Sequence, residues 1–243
     1  MREPRYQAIA QELQRRISAG EFAAGRLLPS ESDLSREYDA SRVTVRRALE
    51  VLRESGLVDS RQGFGWFVAA DPVRQSLARL GTIESQLTDE GVASARKILD
   101  FRFVSAPPHV REVLACDTVL RVRRLNLADG EPFALVTVWC PEQYGAQLSR
   151  AQVERAPFYD LMKVAIGGAT QSIGAAAATA HDADLLGIPA GSPVLRCERI
   201  TRSADGVAVL VSEHVFPAHL TEFVVDLPHA NASMSPSGLR LVD

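Results

Sequence analysis

Forty residues, from Pro29 to Val68, constrain this chain more than any other stretch: PSESDLSREYDASRVTVRRALEVLRESGLVDSRQGFGWFV. Ser30 can cap a short helix with Asp33 as its capping-box partner, and Ser41 can cap a second helix that runs to about Glu54. Gly56 stops the second helix. Within it Val45, Ala48, Leu49 and Leu52 share one face at 3.6 periodicity, the face that packs on the rest of the domain. The edge beside that face is basic, with Arg42 and Arg46 one turn apart, Arg53 on the same side, and Thr44 and Arg47 nearby. Leu57–Ser60 and Phe64–Val68 then read as strands joined by Arg61-Gln62-Gly63, where Gly63 can take the positive φ of a tight turn. Two helices and a hairpin in this order make a winged helix.

Taken alone, the arginines fit two readings. One is an ordinary solvated helix face. The other is a recognition helix that enters a major groove and presents Ser41, Arg42, Thr44, Arg46 and Arg47 from its first turns. In that reading Ser30 and Ser32, at the start of the preceding helix, are candidate DNA neighbours only by the resemblance given next, and Gln62-Gly63 form a tip narrow enough for a minor groove or a phosphate. The stretch LPSESDLSREYDASRVTVRRALEVLRESGLVDSRQGFGWFV resembles, without a gap, the DNA-binding domain of the GntR family of bacterial transcription regulators. The resemblance implies that Arg42, Arg46 and Gly63 correspond to the usual DNA contacts of the family. Ser32 stands where the family often carries an arginine.

A DNA binder with a net charge of −3 has to place its cations locally. Residues 1–68 hold eleven arginines against ten acidic residues, so affinity must come from particular arginines and from a dimer that doubles them. The chain's 243 residues, 46% of them hydrophobic, are enough for two packed domains. No run approaches the length of a membrane span, and MREPRYQAIAQEL has charges where a signal peptide needs an apolar core, so a cytoplasmic protein is expected. Cys116, Cys140 and Cys197 are far apart and odd in number, which predicts buried, reduced thiols rather than disulfides or a thiolate metal site.

In chain order, residues 4–19 read as a first helix with Pro4 at its first position and an Ile9/Leu13/Ile17 stripe, followed by a loop anchored by Phe22. Ala69-Ala70-Asp71-Pro72 loses periodicity. The expected division is therefore 1–69 DNA-binding domain, 70–75 linker, 76–228 second domain and 229–243 mobile tail. Arg74 to Glu90 reads as helical, with a restart at Thr82 ahead of Ile83 and Glu84 that serves either as a plain N-cap or as an anion site. Leu99, Phe101 and Phe103 alternate as a strand, and Phe158 to Ile166 reads as a helix.

The second half nearly repeats itself. HVREVLACDTVLRVRRLNLADGEPFALVTVWCP, from His109, matches HDADLLGIPAGSPVLRCERITRSADGVAVLVSEHVFP, from His181, so that Arg124 pairs with Arg199 and both copies carry Ala-Asp-Gly. Asp-Gly between β-rich runs signals a hairpin. Two such hairpins with flanking strands predict one antiparallel sheet with helices packed on a face, an α+β domain. The order of elements, the ADGEP turn and LGIPAGSPVLR resemble the UTRA effector-binding domain of the HutC branch of the GntR family, which has a chorismate-lyase-like fold. That likeness covers residues 75 to about 228.

On the strand from Val119 to Leu127, one face carries Leu120, Val122, Arg124 and Asn126. An arginine ending an apolar face is either a buried ion-pair member or an anion ligand. The UTRA resemblance implies that Arg124 and Thr82 hold a phosphate- or carboxylate-bearing effector, with Asn126, Val136 and Phe216 standing where relatives carry an arginine, an acid and a tyrosine. These departures favour a small or more apolar anion over an amino-sugar phosphate. Ser212, His214 and Phe216 share one face of the last hairpin, where His214 is either a donor to a ligand or a satisfied core histidine, and Glu213 points the other way. Glu213, His214 and His219 match no metal-ligand spacing, so neither metal nor cofactor is expected.

The resulting expectation is a transcription regulator, by analogy a repressor. It would bind a pseudo-palindromic double-stranded operator as a homodimer and respond to a small anionic effector. An enzyme of lyase-like fold fused to a DNA-binding module is the alternative. No nucleophile elbow, HExxH, phosphate loop or carboxylate pair supports it, and no catalytic residues are assigned. A nucleoid-type binder without sequence preference would leave the second domain without a purpose.

Overall fold

The computed structural model describes residues 4–77, 81–84, 87 and 91–227. Three helices open the chain: α1 (Arg5–Ser18), α2 (Glu31–Glu37) and α3 (Arg42–Glu54). Pro4 is the N-cap of α1 rather than its first residue. The Asp33 N–H donates to Ser30 Oγ and the Thr44 N–H to Ser41 Oγ, each at 3.2 Å, which satisfies donors that a first turn leaves open. The Ser30 hydroxyl in turn donates to Asp33 Oδ2, at 2.6 Å, a side-chain contact rather than the backbone bond of a capping box. Ile9, Ala10 and Leu13 of α1, Leu34 of α2 and Val45, Ala48, Leu49 and Leu52 of α3 form one core. Burying each of the Val, Leu and Ile side chains contributes about 1.5–3 kcal/mol, and helices this short are marginal without it. Strands β1 (Val58–Arg61) and β2 (Gly65–Val68) pair antiparallel across a turn in which Gly63 has φ 77°.

The second domain is a six-stranded antiparallel sheet in the order β4-β5-β6-β9-β8-β7. Its strands are β4 (Ser94–Ser105), β5 (Thr118–Ala128), β6 (Glu131–Pro141), β7 (Ile166–Ala177), β8 (Pro193–Ser203) and β9 (Ala208–Pro217). The two repeats form the hairpins β5-β6 and β8-β9, which meet at the centre along Val136↔His214. In the first hairpin Asp129 (φ 49°) and Gly130 (φ 85°) make the two-residue, positive-φ turn predicted by Asp-Gly. Each repeat begins with a short helix, α4 (Pro108–Leu114) and α8 (Ala180–Leu186), and α5 (Glu142–Gly145), α6 (Arg150–Arg155) and α7 (Phe158–Leu161) fill the connection between them.

Strand alternation sends Leu120, Val122, Val136 and Val138 to one side, with Val153 and Phe158 of α6 and α7. It sends Val119, Trp139 and Val211 to the other, under α4, together with Leu125, Leu135 and Val215 under α8. Helices therefore cover both faces of the sheet, not one.

Other expectations need correction. Residues 73–76 are not helical: β3 (Val73–Ser76) pairs in parallel with β10 (Thr221–Val224). Of the helix expected up to Glu90, Ile83, Glu84 and Leu87 are helical among the described residues. The helix expected to reach Ile166 stops at Leu161, because Lys163 takes a left-handed φ of 52° and the chain turns into β7. Cys140 and Cys197 are buried free thiols, whereas Cys116 is only half-buried. The tail expected at 229–243 lies outside the described residues.

The two domains touch through the loop between α1 and α2 and through the wing. Arg26 donates to Glu131 Oε2 (2.6 Å) and to the carbonyls of Leu186 (2.7 Å) and Pro132 (2.8 Å). His219 Nε2 lies 2.9 Å from the Gly25 carbonyl oxygen, and the rings of Phe64 and Phe67 pack on the His219 imidazole at 4.6 and 5.4 Å. Gly25 has to be glycine here: its φ is 74°, and a Cβ would stand 2.3 Å from Leu220.

Candidate functional sites

Ser30, Ser41, Arg42, Arg46, Arg47, Gln62 and Gly63 are all exposed, and Ser32 and Thr44 half-exposed, on the winged-helix surface. The buried stripe of α3 turns the arginines outward. Arg46 forms a two-pronged pair with Glu31 on α2, at 2.9 and 2.7 Å, and Trp66 Nε1 of the wing donates to the same carboxylate at 3.1 Å. The hydrogen-bonded Arg46 guanidinium, helped by Trp66, holds the Glu31 carboxyl below the usual carboxylate range. Arg47 lies 3.6 Å from Glu50 and over the Tyr6 ring. Arg42 makes neither a hydrogen bond nor an ion pair among the described residues. Although Phe64 and Phe67 are held against the second domain, the Gln62-Gly63 tip remains open to solvent.

Val43 was not singled out from sequence, yet it is 79% exposed between Arg42 and Thr44. The signal available was its place outside the Val45/Leu49/Leu52 stripe. An exposed valine among arginines suits the C5-methyl of a thymine.

The second site is buried. Leu120, Val122, Arg124 and Asn126 do share the inner face of β5, and Val136 stands directly opposite Arg124 on β6. Around Arg124 the structure assembles residues that sequence reasoning did not connect. Glu84 Oε1 accepts from Arg96 Nε of β4 and from Asn126 Nδ2, both at 2.6 Å, and lies 3.6 Å from Arg124 Nη2. Burial pushes the Glu84 pKa up, but the Arg96 hydrogen bond and the Arg124 and Arg96 charges outweigh it and hold the carboxyl at about 2. Nε and Nη1 of Arg124 and Oδ1 of Asn126 are buried without a hydrogen-bond partner among the described residues. Thr82, the proposed anion-binding cap, immediately precedes the helical residues Ile83 and Glu84.

Arg199, the repeat mate of Arg124, donates to Gln171 Oε1 (2.7 Å) and to the Gly81 carbonyl (3.0 Å). A cavity of about 10 Å³, room for about one water, lies among Gln75, Gln171, Arg199, His214, Phe216 and Phe223. His214 is stacked on Phe216, with Nε2 3.0 Å from Ser212 Oγ. Burial first, then the charges of Arg199 and Arg124, press its pKa down to about 3, so the imidazole is neutral near pH 7. Repetition in the sequence pointed to Arg199. Arg96 and Gln171 gave no local signal.

Glu213, His214 and His219 do not converge, since Glu213 leaves the opposite face of β9 and His219 sits at Gly25. On the outer face His109, Glu198 and Glu213 bring ligand atoms within 4.8 Å of one another, with His109 Nε2 3.3 Å from Glu213 Oε1. No helix among the described residues is long and apolar enough to cross a membrane.

Residues 5–68 match the family model described as bacterial regulatory proteins, gntR family, and residues 89–221 match the UTRA domain. An HTH-type transcriptional regulator of Mycobacterium tuberculosis is 34% identical over 243 aligned positions, which cover 97% of this chain and 89% of that protein. The HTH-type transcriptional repressor NagR of Bacillus subtilis is 27% identical over 228 positions, 91% of this chain and 93% of its own length. The crystal structure of PhnF from Mycobacterium smegmatis superposes with a TM-score of 0.62 at 26% identity, covering 92% of this chain and 100% of that one. With an exposed winged helix ahead of a six-stranded α+β domain and both family models matched, the chain belongs to the GntR family of bacterial regulatory proteins, in its UTRA-containing HutC branch.

Proposed function

We propose that the protein is a transcriptional repressor that binds a pseudo-palindromic operator as a homodimer and releases it when a small anionic metabolite enters the second domain. Residues 1–69 act as the DNA-binding domain and 76–228 as the effector domain, in the cytoplasm. Arg42, Thr44, Arg46 and Arg47 of α3 meet bases and phosphates, Ser30, Ser32 and Ser41 steady the backbone, and Gln62-Gly63 reach the adjacent groove. The effector's anion is held by Arg124 and Asn126 beside Thr82, with Val136, Ser212, His214 and Phe216 lining the remainder. The single observation that carries this reading is the pairing of exposed, outward arginines on a capped helix with a buried, incompletely paired arginine in a separate sheet. NagR and the mannosyl-D-glycerate system repressor MngR of Escherichia coli, 29% identical, carry the name repressor.

The two sheet edges support a dimer. Edge strand β4 is guarded by Arg96, Lys97, Asp100, Arg102 and a bulge between Ile98 and Asp100. Edge strand β7, IGGATQSIGAAA, has a bulge of its own between Ile166 and Gly168 but no charge and no proline in twelve residues. A long unguarded edge invites a second strand, and self-pairing about a two-fold would close it. Gel shifts on the DNA upstream of the protein's own gene, repeated with pools of carboxylate and phosphate metabolites, test the whole reading. A retarded complex that one pool dissolves supports it, and absence of any sequence-preferring complex defeats it.

A further inference from the structure

Glu84 supplies the carboxylate that both Arg96 and Arg124 meet, and its one oxygen, Oε1, takes Arg96 Nε, Asn126 Nδ2 and the approach of Arg124 Nη2. The side chains of all three charged residues are almost entirely buried, at 6%, 8% and 11% exposure for Arg96, Arg124 and Glu84. Two guanidiniums out of water need an anion, and here the chain itself provides it. Resting on the effector reading above, we propose that Glu84 is a built-in stand-in for the effector's anionic group, and that the effector is a carboxylate that takes this position as Glu84 withdraws.

Exchange of one carboxylate for another conserves the charge of the cluster and fits its size. A phosphate brings more charge and volume to a cluster whose charged side chains are already almost entirely buried. Withdrawal of Glu84 also has a mechanical route to the wing. Ile83 and Leu87, beside Glu84, are buried in the main sheet core, against which half-buried Val73 of β3 and Phe223 of β10 pack. Only residues 69–72 separate β3 from the wing strand β2, and Leu220, one residue before β10, stands against Gly25 of the winged helix. A shift at 81–84 therefore loads the segment that joins the two domains.

Chemical rescue tests this. The full-length protein and Glu84→Ala are melted in sodium acetate, sodium formate, sodium phosphate and sodium chloride at matched ionic strength. Wild type is expected to be indifferent to the choice of anion. Glu84→Ala should melt roughly 5–10 °C lower in chloride, and acetate or formate should restore at least half of that loss, with phosphate restoring less. Should Glu84→Ala not fold, Glu84→Gln keeps the side-chain volume and still removes the charge, and its melting temperature should be higher in acetate than in chloride. Equal melting of the variants in acetate and chloride, or no loss on removing Glu84, overturns the proposal, and preference for phosphate over acetate overturns the carboxylate assignment. Operator binding by wild type is scored separately: rescue without operator binding removes the regulator reading alone, and operator binding without rescue removes this one alone.

Discussion

Two arginine–glutamate pairs in this molecule have the same chemistry and opposite consequences. Arg46 and Glu31 meet on the winged-helix surface, with the arginine side chain 61% exposed. Arg96 and Glu84 meet inside the sheet domain, at 6% and 11%. An exposed pair adds little to stability, so Arg46 can leave Glu31 for a phosphate or a guanine at little cost. A buried pair cannot simply open, because the desolvated charge left behind costs about 3–5 kcal/mol. Its only inexpensive transition is replacement of one anion by another. Under the function proposed above, the surface pair is the one exchanged for DNA and the inner one the one exchanged for a ligand.

That contrast predicts its own largest test. Arg96→Ala strands Glu84 against Asn126 and the more distant Arg124, and should lower stability by about 3–5 kcal/mol in urea denaturation. A loss below about 1 kcal/mol would put the inner pair in the same class as the surface one. The next effect is a pH dependence. His214 titrates near pH 6.5 when unfolded but at about 3 in the folded domain, so between these values the unfolded chain binds the extra proton. Its contribution is fully present above pH 6.5 and is lost as the pH falls toward 3, at up to about 1.4 kcal/mol per pH unit. His214→Gln, which stays neutral, should match wild type near pH 7 and exceed it by about 2–3 kcal/mol near pH 4.5. Parallel stability curves for the two proteins from pH 7 to 4.5 would show that the imidazole is not held neutral.

The same division decides what could be read in advance. The winged helix was legible because its determinants are local: Ser30 and Ser41 cap within three residues, the α3 stripe repeats every turn, and Gly63 marks the hairpin. The central hairpins were legible because Asp129-Gly130 and the internal repetition announce them. Strand β3 was not, since four residues pair with a segment near position 221 that nothing nearby signals. Helix α7 fell short of its expected length because a single left-handed residue, Lys163, ended it. In the inner site Arg124 and Asn126 could be placed on one face by alternation. Their partner Glu84 was visible only as a residue after a cap, because its contacts come from two other strands.

On the outer surface the comparison is sharpened by effects on DNA that leave stability untouched. Arg46→Ala should weaken operator binding by about 10–100-fold, the scale of one good base contact, while leaving the urea unfolding curve essentially unchanged. Operator affinity equal to wild type would return Arg46 to the role of a solvated ion-pair member. Smaller still is the expectation for Val43, whose 79% exposure on α3 has no structural reward. If it packs on a thymine methyl, replacing one thymine per half-site by uracil should cost wild type about fourfold for each half-site, near the 0.8 kcal/mol of a buried methylene. Val43→Ala shortens the side chain away from the groove, so it should bind the thymine and uracil operators almost equally, with an unchanged melting curve. Fluorescence anisotropy against a set of singly substituted operators reads this directly. If no position separates thymine from uracil for wild type, Val43 does not face the bases, and the register of α3 in the groove must be rotated toward Arg42 and Arg46.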